Sequence, residues 1–317
     1  MRVLVLGGTG FISGAAVRRL VALGHDVAAF HRGEPSSGAA VPIHIRGDRK
    51  DLQAHREAFR RFAPEVVLDT IAYTEADGRG LASVLDGIAA RFVVLSSQDV
   101  YAPYGRLLRL ESGPVDRAAS SEESPLRTSR HPYRAMAKPG EMAYDYEKIL
   151  VEAAVREASG APVTILRLPM VYGPGDPQRR LRSCLGLMTE GVPEIRLDRA
   201  KAAWRCTRGF VDDVAQAIAL AVTDSRAAGR VYNLGEDHAL REAEWIRAIG
   251  EAVGWTGLVR AVERDALPEA EREPYDFAHD LVADTTRIRR ELGFREPVGR
   301  REGLRRSVAL EPAERAG

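Results

Sequence analysis

The sequence predicts an α/β protein: a doubly wound parallel sheet with a smaller, interleaved C-terminal lobe. Three observations predict it. Apolar strand patterns and helical patterns alternate from Val3 to Leu234, and that rhythm requires a parallel sheet covered on both faces. The chain opens with an apolar run that enters a glycine-rich turn, Gly7-Gly8-Thr9-Gly10, and leaves it as a helix. At 317 residues and 45% hydrophobic content, the chain exceeds a single compact core, so a second, smaller unit is expected.

Taken in order, Val3–Leu6 reads as the first strand and Ala15–Leu23 as the first helix. His25–Phe30 is the second strand, and Ile43–Arg46 a short third one that ends at Gly47-Asp48. Asp51–Phe62 is helical, Val66–Asp69 the fourth strand, Leu81–Ala90 a helix, and Arg91–Ser97 the fifth strand with its end. Tyr144–Ala158 reads as a long helix, Pro162–Leu168 as the sixth strand, Val214–Val222 as a helix and Val231–Leu234 as a late strand. Glycine and proline in Gly173-Pro-Gly-Asp-Pro177 bend the chain away from the sheet. Beyond Ala239 the helices are amphipathic, with Trp245, Ile246, Ile249 and Val253 at helical spacing as core. Leu310–Gly317 reads as a frayed end. Residues 1–170 and the returning 207–235 are expected to form the larger unit, and 171–206 with 236–317 the smaller.

Composition excludes several classes. A net charge of +1 argues against a dedicated nucleic-acid or membrane-surface binder. No apolar run reaches membrane-spanning length, and the N-terminal apolar stretch is too short for a signal peptide. Cys184 and Cys206 read as free thiols of a reducing compartment, so a cytoplasmic location is expected. The seven histidines show no zinc-ligand spacing, and no metal is expected.

In such a sheet, ligands bind beyond the carboxyl ends of the strands. The glycine turn leads from a strand into a helix, so its amides and the helix dipole face an anion; a dinucleotide pyrophosphate fits a Rossmann turn of this kind. Gly7 allows the tight turn and Gly10 lets the backbone approach phosphate, while Ser13 occupies the third glycine position. At the end of the second strand an acid would bind the ribose hydroxyls of NAD. His31 and Arg32 stand there instead, and a guanidinium beside the ribose can accept a 2′-phosphate, which leans the cofactor towards NADP. Asp48 either accepts a hydrogen bond from the adenine amino group or simply closes the turn Gly47-Asp48-Arg49. Ser96 and Ser97 end the fifth strand where a substrate hydroxyl or carbonyl would lie. Tyr144 and Lys148 are spaced to share one helix face, where an ammonium lowers a phenol's pKa and makes it a general base or acid. Tyr133 and Tyr146 lack a lysine four residues on.

With these pieces assembled, the chain resembles the extended, nucleotide-sugar-modifying branch of the short-chain dehydrogenase/reductase superfamily, the NAD-dependent epimerase/dehydratase family. The matching segments are Gly7-Gly-Thr-Gly-Phe11-Ile12, Leu95-Ser-Ser-Gln-Asp-Val-Tyr101, Tyr144-x-x-x-Lys148, Arg167-Leu-Pro-Met-Val-Tyr-Gly-Pro-Gly-Asp176, Phe210-Val-Asp-Asp-Val-Ala215, Tyr232-Asn-Leu-Gly235 and Asp284-x-x-x-Ile-x-x-Glu-Leu-Gly293. The resemblance implies that Tyr144 exchanges a proton with a substrate hydroxyl, that Lys148 holds the nicotinamide ribose and tunes Tyr144, and that Ser97 bonds the same substrate oxygen. It implies cofactor contacts from Gly7, Gly10, Phe11, Ile12 and Pro169, hydride transfer through a keto intermediate, and a homodimer built on the helices at 81–90 and 144–158. Arg180 and Arg205 are candidate grips on a substrate pyrophosphate.

The expected activity is that of an NAD(P)-dependent oxidoreductase or epimerase acting on a nucleotide-activated sugar or similar polyol. Dehydratases of the family carry an Asp-Glu pair after the catalytic threonine, whereas here Gln98-Asp99 follows Ser97. Gln98, a candidate substrate contact, cannot protonate a leaving hydroxyl; Asp99 keeps a carboxylate at the second position. A reductase, decarboxylase or dehydratase on the same scaffold is therefore an alternative. Ser13 and the His31-Arg32 pair are also similar to atypical superfamily members, which leaves a non-catalytic nucleotide-sensing or RNA-associated protein as the competing class. Residues 104–143 form an excursion rich in Arg, Ser and Pro, read as a surface segment near the substrate mouth.

Overall fold

The computed structural model describes residues 1–33 and 43–310. The chain begins β1 (Arg2–Leu6), α1 (Phe11–Ala22), β2 (Asp26–His31) and β3 (Ile43–Arg46). A 3-10 turn over Arg49–His55 leads into α2 (Arg56–Phe62), followed by β4 (Val66–Asp69), α3 (Glu75–Leu85), β5 (Arg91–Ser97) and α4 (Ala102–Leu107). Next come α5 (Lys148–Ala158), β6 (Val163–Leu168), β7 (Met170–Tyr172), α6 (Arg182–Thr189), β8 (Glu194–Asp198), α7 (Arg199–Ala203), β9 (Arg208–Phe210) and α8 (Val211–Thr223). The described chain closes with β10 (Val231–Asn233), α9 (Glu242–Val253), β11 (Leu258–Val262), α10 (Thr286–Leu292) and α11 (Arg300–Leu310).

Seven strands form one sheet in the order β10-β6-β5-β4-β1-β2-β3, every pair parallel. The chain runs outward through β2 and β3, then returns to the other side of β1 with β4. That reversal opens a crevice at the carboxyl ends of β1 and β4, the place where such sheets take ligands. Side chains alternate across β1: Val3 and Val5 join the core under α1 and α8, while Leu4 and Leu6 join the core under α3 and α5. Both faces are dry, which is why these strands read as continuous apolar runs. Two small parallel pairs, β7 with β9 and β8 with β11, stand apart from the main sheet. Trp245 on α9 meets Tyr172 of β7 edge-on, with centroids 4.9 Å apart, and so joins α9 to the strand pair beside the crevice. Among the described residues, no helix is long and apolar enough to cross a membrane, and no cluster of His, Cys, Asp or Glu could hold a metal ion.

The structure departs from the sequence expectations at several helix ends. Helix α3 spans Glu75–Leu85 rather than Leu81–Ala90, because Thr74 and Asp77 form a reciprocal capping box that starts it earlier. The stretch 51–62 is split, with a 3-10 turn before a short α2. Helix α5 begins at Lys148, not Tyr144. Trp245, Ile246 and Ile249 are buried as expected, but Val253 is 41% exposed at the last turn of α9. Strand β7 was not expected; the short stretch after Pro169 pairs with β9. Helix α11 runs to Leu310, and the rest of the expected frayed end lies outside the described residues.

Candidate active site

The glycine turn after β1 is built as its composition requires. Gly7 has φ +105°, and a Cβ there would lie 2.3 Å from Oγ1 of Thr70. Gly7→Ala therefore combines a forbidden conformation with a clash, and a loss of about 1–3 kcal/mol of stability is expected in chemical denaturation. Gly10 is the N-cap of α1, and its amide donates to Ser13 Oγ at 3.0 Å. Ser13 thus fills the third glycine position with a hydroxyl that closes the turn. The first-turn amides of α1 have no carbonyl four residues back. Gly10, Phe11 and Ile12 line a cavity of about 800 Å³ at the carboxyl ends of β1, β4, β5 and β6. A Cβ on Gly10 would meet nothing nearer than Ser13 Oγ at 3.2 Å and would project into that cradle. The donor set and the bare backbone fit a dinucleotide pyrophosphate.

At the end of β2, His31 is 5% exposed, bonds the carbonyl of Gly33 and pairs with His44 Nδ1 at 2.7 Å, whereas Arg32 is exposed. Asp48 accepts from the amide of Lys50 at 2.9 Å, so its carboxylate closes the turn after β3.

Strand β5 delivers its two serines differently. Ser96 donates to Glu152 at 2.5 Å inside a buried network with Arg167 and serves the fold. Ser97 lines the cavity and accepts the amide of Asp99 at 3.2 Å. Gln98 donates to the carbonyl of Leu234 at 2.7 Å and ties β5 to the end of β10, so its amide nitrogen is committed to the backbone. Pro169 lines the cavity after β6. Lys148 is buried and donates to the carbonyls of Ala72 at 2.6 Å and Leu95 at 2.8 Å, with its ammonium 4.8 Å from the Tyr73 ring. Burial lowers its pKa to about 8, with Asp69 and Asp99 pulling the other way.

Tyr144 is not brought to this group. It lies in the turn before α5, its ring beneath the Arg134 guanidinium at 4.8 Å, and it does not line the cavity. The expected shared helix face fails for a local reason. Glu147 is the N-cap of α5, extended at φ −160° and ψ 95°, and its carboxylate accepts the amide of Ile149. That carboxylate is locked by Arg127, both side chains being fully buried, 2.9 Å apart. Residues entering the helix are therefore extended, and in extended chain alternate residues share a side. Tyr146, two residues before Lys148, points into the cavity with it. Its hydroxyl donates to Asp99 Oδ2 at 2.7 Å. Asp99 is 6% exposed; burial pushes its carboxyl above the usual range, against the pull of the Tyr146 hydroxyl, Arg127 and Lys148. The excursion at 104–143 adds Tyr133, whose hydroxyl reaches Asp99 Oδ2 at 3.3 Å. Helical spacing alone singles out Tyr144; Tyr146 and Tyr133 reach this group because the chain is extended ahead of α5 and the excursion folds back over Asp99.

Of the two arginines expected at the substrate, Arg180 lines the cavity but is held by Asp176 at 2.7 Å and by the carbonyl of Val171. Arg205 does not line it and pairs with Asp280 at 2.9 Å.

The comparisons agree with this architecture. The family model for the NAD-dependent epimerase/dehydratase family matches residues 3–235. A dTDP-glucose 4,6-dehydratase of Streptomyces griseus is 29% identical over 96% of this chain and 92% of its own length. The dTDP-6-deoxy-L-talose 4-dehydrogenase (NAD(P)(+)) of Kitasatospora kifunensis is 30% identical over 90% of this chain and 91% of its own. Among solved structures, UDP-glucose 4-epimerase of Stenotrophomonas maltophila with bound NAD shares the fold at a TM-score of 0.74 and 18% identity, covering 98% of this chain and 97% of that one. The matched span and the whole-length relatives lead to one conclusion: the chain belongs to the NAD-dependent epimerase/dehydratase family of enzymes.

Proposed function

We propose that the protein is an NAD(P)-dependent oxidoreductase or epimerase acting at a hydroxyl-bearing carbon of a nucleotide-activated sugar or similar polyol. The observation that carries this reading is the convergence of Ser97, Tyr146 and Lys148 in one cavity with the N-terminus of α1. The amides of Phe11 and Ile12, with Gly7 and Gly10 clearing the way, hold the pyrophosphate; Lys148 and Pro169 border the nicotinamide end. The bound nicotinamide supplies a hydride acceptor or donor. Ser97 holds the substrate oxygen, and a phenol exchanges its proton. The motif spacing assigns that phenol to Tyr144 and the geometry favours Tyr146. Residues 171–206 and 236–317 form the substrate lobe, where Arg180 reaches a substrate phosphate by releasing Asp176. The relatives named for dTDP-sugars support this substrate class, and the carboxylate of Asp99 beside the site supports dehydration as the second reading. A cytoplasmic homodimer paired through α3 and α5 completes the proposal.

Denaturing the purified protein and identifying the released nucleotide by chromatography tests it. Stoichiometric NAD(H) means a cofactor recycled in place, as an epimerase or a redox-neutral elimination needs. An empty protein stabilised by NADPH means a reductase. No nucleotide and no stabilisation by either form removes the catalytic reading.

The cofactor leans towards NADP because β2 ends without an acid and with an exposed Arg32. Arg32→Ala is expected to lower the ratio of NADP to NAD affinity about tenfold or more, the worth of a charge-assisted contact. Isothermal titration with both nucleotides reads the ratio, and an unchanged value removes Arg32 from the site.

A further inference from the structure

We propose that Asp99 is the proton acceptor of this site, working through the Tyr146 phenol, and that the 104–143 excursion exists in part to aim it. The proposal rests on the catalytic reading above and gives the proton a different destination from a lone lysine-tuned phenol.

The geometry is a carboxylate held by phenols. Asp99 sits on the short turn that follows β5, and its Oδ2 accepts Tyr146 at 2.7 Å and Tyr133 at 3.3 Å. The Tyr133 hydroxyl is itself bonded to that of Tyr104 on α4, 2.7 Å away. Oδ1 is buried with no hydrogen-bond partner among the described residues. Tyr146 and Tyr133 lie with ring centroids 5.2 Å apart, and Asp99, Tyr104, Tyr133 and Tyr146 all line the cavity.

A lysine activates a phenol by stabilising its anion. Here that route is obstructed. The Lys148 ammonium is 5.9 Å from the Tyr146 ring centroid, and two of its three donors go to the carbonyls of Ala72 and Leu95. The nearer neighbour of the phenol is the Asp99 carboxylate, and burial together with that charge pushes Tyr146 well above its ordinary value, with the Ser97 hydroxyl acting the other way. An isolated Tyr146 phenolate next to an ionised Asp99 would be two negative charges in a desolvated pocket.

A relay avoids this. The substrate O–H bond breaks as its proton joins the Tyr146 oxygen, and the phenol's own O–H breaks as that proton joins Asp99 Oδ2. Tyr146 ends as it began, Asp99 ends as a carboxylic acid and the substrate oxygen carries the charge; no electrons change hands in this step. The reverse sequence protonates a product alkoxide.

The groups facing Asp99 set its proton affinity. Burial raises it, and Tyr146, Arg127 and Lys148 lower it. Tyr133 and Tyr104 stand on the excursion side. Burial, and after it the charge of Asp99, raises both of those phenols. Arg127 also bonds the backbone carbonyl of Asp99, so the same excursion that carries Tyr133 fixes the turn on which the carboxylate rides.

The test uses full-length protein with three variants: Asp99→Asn, Tyr146→Phe and Tyr133→Phe. Ultraviolet titration of tyrosine ionisation is expected to show the phenols around Asp99 ionising at lower pH in Asp99→Asn, and the Tyr146 component of that shift is lost when Tyr146→Phe is added. Infrared difference spectra of the wild type are expected to show a carboxylic-acid band that persists above the ordinary carboxylate range. Asp99→Asn abolishes the band, and Tyr133→Phe moves it to higher pH because a donor to the carboxylate is gone. On a dTDP-sugar that the wild type oxidises, Asp99→Asn is expected to lower kcat about 10²–10⁴-fold with a smaller change in KM.

Identical phenol titrations in wild type and Asp99→Asn overturn the relay whatever the substrate. Wild-type turnover by Asp99→Asn also overturns it, while leaving the proposed function standing, because that function requires only turnover by the wild type. If Asp99→Asn does not fold, the Tyr133→Phe infrared shift decides: an unmoved band overturns the proposal.

Discussion

Tyr146→Phe is expected to reduce turnover about 10²–10⁴-fold, the usual worth of a positioned acid–base group, while Tyr144→Phe leaves it within a few-fold. The reason lies in the path of the chain rather than in the motif. On a continuous helix, Tyr144 and Lys148 would share a face. Here the helix starts at Lys148, and Glu147 ahead of it is extended, so the residue that shares a side with Lys148 is Tyr146. Tyr146 meets Asp99 and faces the cavity; Tyr144 packs under Arg134 at its edge. Cofactor binding separates a chemical effect from a folding one: both variants are expected to bind NAD(P) as the wild type does, since neither ring touches the glycine turn. If Tyr144→Phe is the inactive variant, the entrance to α5 must rewind into helix when substrate binds, and the geometric assignment is wrong.

How much of this was legible follows from which physical rule each element obeys. β1, the glycine turn and the parallel sheet were readable because dry strands are continuous apolar runs and a turn at φ +105° needs glycine. That Ser97 ends β5 and that Lys148 stands beside it at the cavity follow from the same sheet, which fixes its strand ends and the helix before the sixth strand. The expected helix face shared by Tyr144 and Lys148 does not form, because a spacing of four has meaning only inside a helix, and the boundary is set by Glu147, whose partner Arg127 is 20 residues away in sequence. Nothing local announces that pair. The start of α3 was different: Thr74 and Asp77 spell a capping box, a local signal that the apolar pattern from Leu81 onward outweighed. Arg180 and Arg205 illustrate a further limit. Arginine-rich sequence supplies many possible phosphate grips, and only the fold shows that Asp176 and Asp280 already hold these two.

Arg127→Met is expected to destabilise the protein by about 3–5 kcal/mol, the cost of leaving a buried carboxylate without its cation. Arg127 and Glu147 are both fully buried and meet through two contacts, at 2.9 and 3.3 Å. Arg127 also donates to the carbonyls of Asp99 and of Ser129, the latter at 2.7 Å, so three separate segments meet on one guanidinium. Glu147 keeps two backbone donors, the amides of Ile149 at 3.1 Å and His131 at 2.7 Å, and these soften the loss without neutralising the charge. A double variant, Arg127→Met with Glu147→Gln, removes both charges and is expected to recover part of the loss, as replacing a whole buried pair often does. Urea denaturation of the four members of the cycle measures the coupling; additive losses would mean that the pair stabilises nothing as a pair. The recovery in stability should not extend to the site. Glu147 lies between Tyr146 and Lys148, and Arg127 anchors the turn carrying Asp99, so the clamp fixes the distance between phenol and carboxylate. The double variant is therefore expected to fold with a lowered kcat, because packing can replace the energy of an ion pair but not the direction in which it holds its neighbours.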